Sequence, residues 1–336
     1  MIGQANGRPV SITGLGCAVP DRVVTNADLA HLVDTSDEWI VTRTGIHERR
    51  LAKPGELAMS ELALPAAREA LDQAGVAGAE VDTLIVATVT PDMAFPSTAA
   101  ILADQLGSTD AAAYDLSAGC TGFMYAIAQA YGMISGGLSR KVLVVGGDIL
   151  SSILDWTDRS TLVLFGDGAG AVVMEQVPNG GFLGFELGAD GGGDSLWLPG
   201  SGSRKFEDPD RYVKMNGREV FKFATRVMVT SAQAILEECG KTMDEIDVYV
   251  PHQANIRIID HAARKLGVPK EKIVVNVDRY GNTSSGSIPL ALADAATDGR
   301  LRPGSLVLMT GMGAGLTWGS ALMEWTADVA GMKAAA

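Results

Sequence analysis

Cys120 is the residue at which a chemical reading of this chain begins. In YDLSAGCTGFMYAIAQAYGMISGG (Tyr114 to Gly137) a buried strand over Ala111 to Ser117 runs into a tight turn at Gly119, and an apolar helix begins near Thr121. A cysteine at that bend meets backbone N–H groups of the first helical turn that have no intrahelical partner, and the helix dipole favours negative charge there. The thiolate is therefore expected to be stabilised, which makes Cys120 a candidate nucleophile. Glycines at 119 and 122 suit a sharp turn with close backbone approach. Cys17 and Cys239 have no such surroundings and read as small hydrophobes.

Three further stretches carry polar or glycine-rich groups to the ends of strands. His252 follows the strand Ile246 to Val250 in PHQAN, Asn282 follows Gly281, and GMGAG (Gly311 to Gly315) follows the last strand. Each lies at the carboxyl end of its strand, where open α/β sheets place their ligands.

The elements that must position these residues alternate between strand and helix. Residues 9 to 19 read as a strand. Ser60 to Ala74 is an amphipathic helix, Val81 to Val89 a β-branched buried strand, and KVLVVGGD another strand after the Cys120 helix. VDTSDEWIVTRTGIHERR reads as a helix capped by Thr35 or Ser36, with Trp39 and Arg43 four residues apart on one face. FGDGAGAVVM reads as a tight turn into a buried strand, since it lacks the signature of a phosphate loop. Residues 190 to 217 are polar and Gly-rich and are expected to form a flexible cap over the site.

The order then repeats. IDVYV matches VDTLIVA, the helix Ile256 to Leu266 ends in LG like the one ending at Leu106 and Gly107, KIVVNVD matches the strand AAAYDLS, and SLVLMTG matches KVLVVGG. Asp82 to Cys120 spans 38 positions and Asp247 to Asn282 spans 35, so Asn282 takes the place of the nucleophile in the second copy. Two similar α/β halves, residues 1–178 and 179–336, are expected to pack as one unit with their equivalent turns facing a shared site.

Composition narrows the partners. The chain has 336 residues, 47% hydrophobic and 20% charged, enough for a large core. Its 27 Lys and Arg against 40 Asp and Glu leave a net charge of -13, which argues against nucleic acid or an anionic membrane surface as a general partner. Three cysteines without CxxC spacing argue against a disulfide framework or zinc site and for a reducing cytoplasm. The N-terminus lacks a signal-peptide pattern, and no apolar run reaches a membrane span.

The motifs DTSDEWIVTRTGI, AFPSTA, DLSAGCTGF, FGDGAGA, VPHQANIRI, GNTSSGSIPLAL and GAGLTWGSA together resemble the β-ketoacyl-acyl carrier protein synthase III family of thiolase-fold condensing enzymes over nearly the whole chain. The resemblance implies a thiolase-like α/β fold, with duplicated α-β-α-β-α halves in five layers, and a homodimer. It also implies that an acyl-CoA starter acylates Cys120, after which malonyl-acyl carrier protein is decarboxylated and attacks the thioester. Acyl-CoA is then a substrate, and neither a cofactor nor a metal is expected. The residue chemistry fits such a sequence. Covalent storage on sulfur splits one condensation into two easier steps. Decarboxylation builds charge on the thioester oxygen, where His252 and Asn282 can both donate.

Further roles follow from the resemblance. The backbone N–H groups of Cys120 and Ala314 would form the oxyanion site. Trp39 and Arg159 would sandwich the adenine of CoA, with Thr35 and Arg43 near the nucleotide end. A cation–π contact of this kind is worth roughly 0.5 to 2 kcal/mol. Phe95 would cross the dimer interface and close the partner's acyl pocket. Arg257, Arg264 and Lys265, in a locally basic helix of an acidic chain, would dock the carrier protein. Two features depart from the family: Arg218 in MNGREVF, and a C-terminal TADVAGMKAAA expected to fray.

Other readings stay open at this point. A relative of secondary metabolism, priming a polyketide or transferring acyl groups, shares the nucleophile, and one independent of carrier protein should lack the basic helix. A non-catalytic subunit that binds an acyl carrier protein should have lost Cys120, His252 or Asn282. The length and branching of the starter are undetermined.

Overall fold

The structure is a computed structural model and describes residues 2–4, 7–191, 195–199 and 211–329. The β-branched runs assemble into two five-stranded sheets. The strands in chain order are β1 (Ile2–Gln4), β2 (Val10–Ala18), β3 (Val23–Thr25), β4 (Glu48–Arg50), β5 (Thr83–Ala87), β6 (Ala112–Leu116), β7 (Lys141–Asp148) and β8 (Gly168–Gln176). They continue with β9 (Gly181–Ala189), β10 (Leu196–Trp197), β11 (Lys214–Met215), β12 (Val248–Pro251), β13 (Leu306–Gly313) and β14 (Thr317–Glu324). One sheet has the order β2-β8-β7-β5-β6 and the other β1-β9-β14-β13-β12, while β3-β4 and β10-β11 are short ribbons.

Helices fill the space between and outside the sheets. They are α1 (Asn26–Ala30), α2 (Asp37–Thr44), α3 (Met59–Ala74), α4 (Thr98–Leu106), α5 (Gly122–Ser135), α6 (Arg159–Leu162), α7 (Gly217–Glu238), α8 (Ile256–Leu266), α9 (Val277–Tyr280) and α10 (Ser287–Thr297). α3 and α4 cover the outer face of the first sheet, and α7, with α8 packed on it, covers that of the second. α5 and α10 lie between the sheets, giving five layers. The middle layer can be largely apolar because it meets a sheet on each face: Phe123 and Ile127 of α5 and Ala291 and Leu292 of α10 are at most 1% exposed. Burying each large side chain of this kind contributes about 1.5 to 3 kcal/mol.

The repeat seen in the sequence is present in the strand pairing. β5 runs parallel to β7, which turns antiparallel into β8, and β12 runs parallel to β13, which turns antiparallel into β14. β5 and β12 are each preceded by an aspartate with the same task. Asp82 accepts from the Arg140 N–H at 2.7 Å and Asp247 from the Leu306 N–H at 2.8 Å, each tying down the start of the neighbouring strand.

Two expectations require correction. KIVVNVD does not form the counterpart of β6. It makes a single bridge, Ile273 to Tyr249, and then turns into α9. The Gln253 side chain takes up the backbone groups a ladder would use. Its amide donates to the Pro251 and Val274 carbonyls at 2.8 and 3.0 Å, and its oxygen accepts from the Asn276 and Val277 N–H groups at 2.9 and 3.2 Å. The C-terminal segment does not fray where it is described. Thr326 donates to the Ser11 hydroxyl at 2.7 Å and Val329 is 5% exposed in the core, while residues 330–336 lie outside the described part.

Candidate active site

Cys120 sits in a 3₁₀ turn (Gly119–Thr121) between β6 and α5 and is 9% exposed. The turn needs its glycine twice over. Gly119 has φ +57°, and a Cβ there would lie 2.8 Å from the Ala314 nitrogen. From the other side, a Cβ on Gly313 would lie 2.5 Å from the Cys120 nitrogen. The loop after β13 therefore packs backbone against backbone on the nucleophile loop. The Thr317 hydroxyl reaches the carbonyls of both loops, Ala118 at 2.9 Å and Ala314 at 3.0 Å, and Ala314 lines the cavity beside Cys120.

The sequence expectation for the thiol itself is reversed. Burial pushes Cys120 up to about 11, opposed by the Ser284 side chain and its own backbone N–H and assisted by the charge of Asp148. The resting group is the thiol, and the helix N-terminus acts on the charge as it develops.

His252 follows β12, its backbone N–H donating to the Thr310 carbonyl at 2.8 Å. The ring is 1% exposed, and neither nitrogen has a hydrogen-bond partner. Burial pushes it down to about 4, so the imidazole is neutral at physiological pH. Two orphaned buried nitrogens at a cavity wall are an expensive arrangement unless a ligand completes them.

Asn282 stands on a turn opened by Gly281 (φ +64°). Its backbone is clamped to the neighbouring strand end, the N–H donating to the Leu164 carbonyl and the carbonyl accepting from the Gly166 N–H, both at 2.9 Å. The side-chain oxygen accepts from the Ser284 N–H at 2.9 Å, which leaves the NH₂ end as the donor.

Cys120, His252 and Asn282 line one cavity of about 230 Å³, whose other walls include Trp39, Arg43, Phe221 and Arg257. Cys120 also lines a second cavity of about 740 Å³, with Val89, Leu154, Phe165, Trp197 and Ala314 among its walls. The thiol thus stands between a smaller cavity and a larger, mainly apolar one. The described parts of the expected cap, residues 195–199 and 211–217, contribute walls: Leu196, Trp197 and Val213 line the larger cavity. Residues 192–194 and 200–210 lie outside the described part.

The flanking residues fall as follows. Ser36, not Thr35, caps α2, accepting from the Trp39 N–H at 3.1 Å, and the Thr35 hydroxyl is buried without a partner. Two guanidinium groups lie against the Trp39 ring, Arg43 at 4.5 Å and Arg159 at 4.9 Å from its centroid. Arg159 also donates to the Asp34 carbonyl at 2.7 Å. Phe95 is 85% exposed and lines neither cavity of its own chain, whereas Met93 and Ala94 line the larger one. Arg257 is exposed at the start of α8, 5.3 Å from the Phe221 ring, and Arg264 and Lys265 are exposed in its last turn. Among the described residues no group of three or more His, Cys, Asp or Glu could hold a metal ion.

Sequence reasoning missed three features. Ser284 reaches the thiol from the left-handed region (φ +51°), signalled only by the run of small polar residues after Asn282. Asp148 is fully buried, accepting from Thr88, Val89 and Thr90 at 2.7 to 3.1 Å and from the Ser285 hydroxyl at 3.1 Å, so it ties the wall of the larger cavity to the Asn282 loop. Lys222 and Arg226 follow Arg218 at four-residue steps along the exposed face of α7, a periodicity readable in the sequence.

Comparison with known proteins agrees with this geometry. Family profiles described as 3-oxoacyl-[acyl-carrier-protein] synthase III match residues 114–191, and its C-terminal part matches residues 236–325. The chain is 54% identical over 326 residues to a β-ketoacyl-[acyl-carrier-protein] synthase III of Symbiobacterium thermophilum, covering 95% of this chain and 98% of the other. Its structure superposes on the synthase III of Thermus thermophilus with a TM-score of 0.89 at 51% identity, covering 94% and 99% of the two chains. It superposes equally well, TM-score 0.89, on the priming β-ketosynthase of the R1128 polyketide pathway at 38% identity, covering 95% and 97%.

Proposed function

The chain belongs to the β-ketoacyl-[acyl-carrier-protein] synthase III family of thiolase-fold condensing enzymes, and from that premise we propose how its own residues divide the reaction. The enzyme is an acyltransferase of fatty acid biosynthesis that joins an acyl-CoA starter to malonyl-acyl carrier protein. In the first half, the Cys120 sulfur attacks the acyl-CoA carbonyl, the Cys120 and Ala314 N–H groups hold the tetrahedral oxyanion, and CoA leaves as its thiol with the Cys120 proton. The close packing of Gly119 and Gly313 on these two loops supports that pairing of donors.

In the second half, His252 and Asn282 donate to the thioester oxygen of the malonyl group. Loss of CO₂ leaves an enolate there, whose carbon attacks the acyl-Cys120 carbonyl. The carbon–sulfur bond to Cys120 breaks, the departing sulfur takes up a proton from solvent to restore the thiol, and 3-ketoacyl-acyl carrier protein departs. Decarboxylation supplies the carbanion, so no base has to remove a carbon-bound proton, and no cofactor enters the balance. One observation carries this reading above the others: His252 is neutral, buried and without partners on either nitrogen, in the same cavity wall as Cys120 and Asn282.

The Trp39–Arg159 pair, with Arg43 and the orphaned Thr35 hydroxyl nearby, is the proposed seat of the CoA nucleotide. The exposed β6 edge and the projecting Phe95 support a homodimer in which Phe95 closes the partner's acyl cavity. Division into halves near residue 178 is supported by β8 ending at Gln176 and β9 opening the other sheet at Gly181, although β1 joins that second sheet. Three free cysteines suit a cytoplasmic enzyme, and among the described residues no helix is long and apolar enough to cross a membrane.

The half-reactions separate the roles. His252→Ala and Asn282→Ala should each slow malonyl decarboxylation by about a hundredfold or more while Cys120 still accumulates its acyl group, read by mass spectrometry. Cys120→Ala should accept none. A stable acyl adduct on Cys17 or Cys239, or loss of acyl transfer as severe as loss of decarboxylation, would overturn the assignment.

A further inference from the structure

We infer that Arg49, which touches neither cavity, is a positioning residue for acyl-CoA: it sets the spacing of the two elements that carry Trp39 and Arg159. The inference rests on the reading that this pair holds the CoA nucleotide.

Arg49 lies in β4 and is fully buried. One terminal nitrogen donates to the Asn26 side-chain oxygen at 2.8 Å and to the Val24 carbonyl at 3.3 Å, and the other donates to the Val163 carbonyl at 2.9 Å. Its Nε has no partner. None of these acceptors is a carboxylate. Burial lowers the guanidinium only to about 10, so it stays charged at neutral pH. A buried cation that no carboxylate touches, with only the charge of Glu48 to favour it, is a poor way to fill a core, and apolar residues of similar volume usually serve stability as well or better. What the guanidinium supplies instead is a rigid fork that reaches two acceptors in fixed directions.

Those two directions lead to the two sides of the slot. Asn26, itself 1% exposed, passes the first arm on: its amide donates to the Asp37 carboxylate and the Ile46 carbonyl, both at 2.8 Å. Asp37 opens α2 and Ile46 follows the Gly45 that ends it, so Asn26 grips both ends of the helix bearing Trp39 and Arg43. The second arm holds Val163, the C-cap of the single helical turn that begins at Arg159. The anchor itself is interior, its side chain fully buried beside the glycines at 166 and 281. In this structure Arg159 rests on the Trp39 ring at 4.9 Å, and a planar base enters only if the two part by one ring thickness. The gap they leave depends on how far apart α2 and α6 are held.

The test compares acyl-CoA with acyl-pantetheine, the same thioester without its nucleotide, in Arg49→Lys and in the exposed-end variant Asp37→Ala, with Trp39→Ala as reference. Either variant should raise the KM for acyl-CoA about tenfold, within the span of a lost cation–π stack. The KM for acyl-pantetheine and the rate of malonyl decarboxylation should stay at wild-type values. Equal losses toward both donors would show that Arg49 merely holds the fold, and an unchanged KM for acyl-CoA would show that it positions nothing. Should Arg49→Lys fail to fold, Asp37→Ala decides. If Trp39→Ala treats the two donors alike, the nucleotide reading falls and this inference with it. If Trp39→Ala separates them and the other variants do not, only the role of Arg49 falls.

Discussion

A Cβ placed on Gly313 would lie 2.5 Å from the amide nitrogen of Cys120. The end of β13 and the Cys120 loop therefore meet main chain to main chain, with Ala314, the other proposed oxyanion donor, one residue further on. Gly313 is extended (φ -165°, ψ -171°), a conformation alanine adopts freely, so the cost of a methyl group there is steric alone.

Gly313→Ala should accordingly part the two N–H groups and cut the rate of Cys120 acylation by about a hundredfold, as loss of one oxyanion donor does. Stability should fall by only about 1 to 3 kcal/mol, the usual cost of overpacking. Single-turnover acylation and urea unfolding of the same preparation read the two effects, and an unimpaired acylation rate would remove Ala314 from the site.

Buried His252 makes stability depend on pH in a definite direction. Its folded pKa, about 4, lies below the ordinary 6.5, so between those values the unfolded chain binds a proton that the folded chain refuses. Stability is unaffected above pH 6.5 and falls as the pH drops towards 4. Asp167, pushed up to about 6 by burial, acts in the opposite sense over part of that range, so the contribution is read as the difference between wild type and His252→Gln. That difference should move against the wild type by about 2 to 3 kcal/mol between pH 7 and 4.5. Urea unfolding at the two pH values checks it. Malonyl decarboxylation should show no acid limb near pH 6.5.

The carrier-docking test is best made away from the approach to the thiol. Arg257 lines the smaller cavity with Trp39 and Arg43, so a change there bears on the approach to the thiol as well as on docking. Arg264 and Lys265, exposed in the last turn of α8, line neither cavity. Arg264→Glu with Lys265→Glu should raise the KM for malonyl-acyl carrier protein about fivefold at low salt, converging on wild type near ~1 M salt, where screening acts within about 3 Å. The KM for acyl-CoA should hold. A rise that persists in salt would mean the helix itself had been disturbed.

Much of this architecture was legible because the long apolar runs have one sensible place to go. β5, β7 and α5 are each continuous in their hydrophobic pattern, and the repeat between Asp82–Cys120 and Asp247–Asn282 places Cys120 and Asn282 on matching turns, each with a 3₁₀ turn leading into a helix. What escaped depends on partners distant in sequence. The strand expected at KIVVNVD lost its ladder to a side chain, Gln253, some twenty residues earlier. The charge state of Cys120 was read from its own helix, whereas its environment is set by walls contributed from Phe165, Ser284 and Ala314. Arg49 stands between Glu48 and Arg50 with nothing in the sequence to set it apart, and only its burial and its bonds to Asn26 and Val163 mark it as interior.

Cys120 stands in the wall between the cavity of about 740 Å³ and that of about 230 Å³. On the proposed division of roles, an acyl chain waits in the larger space while its carrier withdraws, and both thioesters come to the smaller one, which holds His252 and Asn282 as well as the thiol. Turnover is thus a queue with a single door. Free CoA that has not left is an obstacle to the incoming malonyl thioester rather than a bystander, and double-reciprocal plots taken at several fixed concentrations of the second substrate should run parallel.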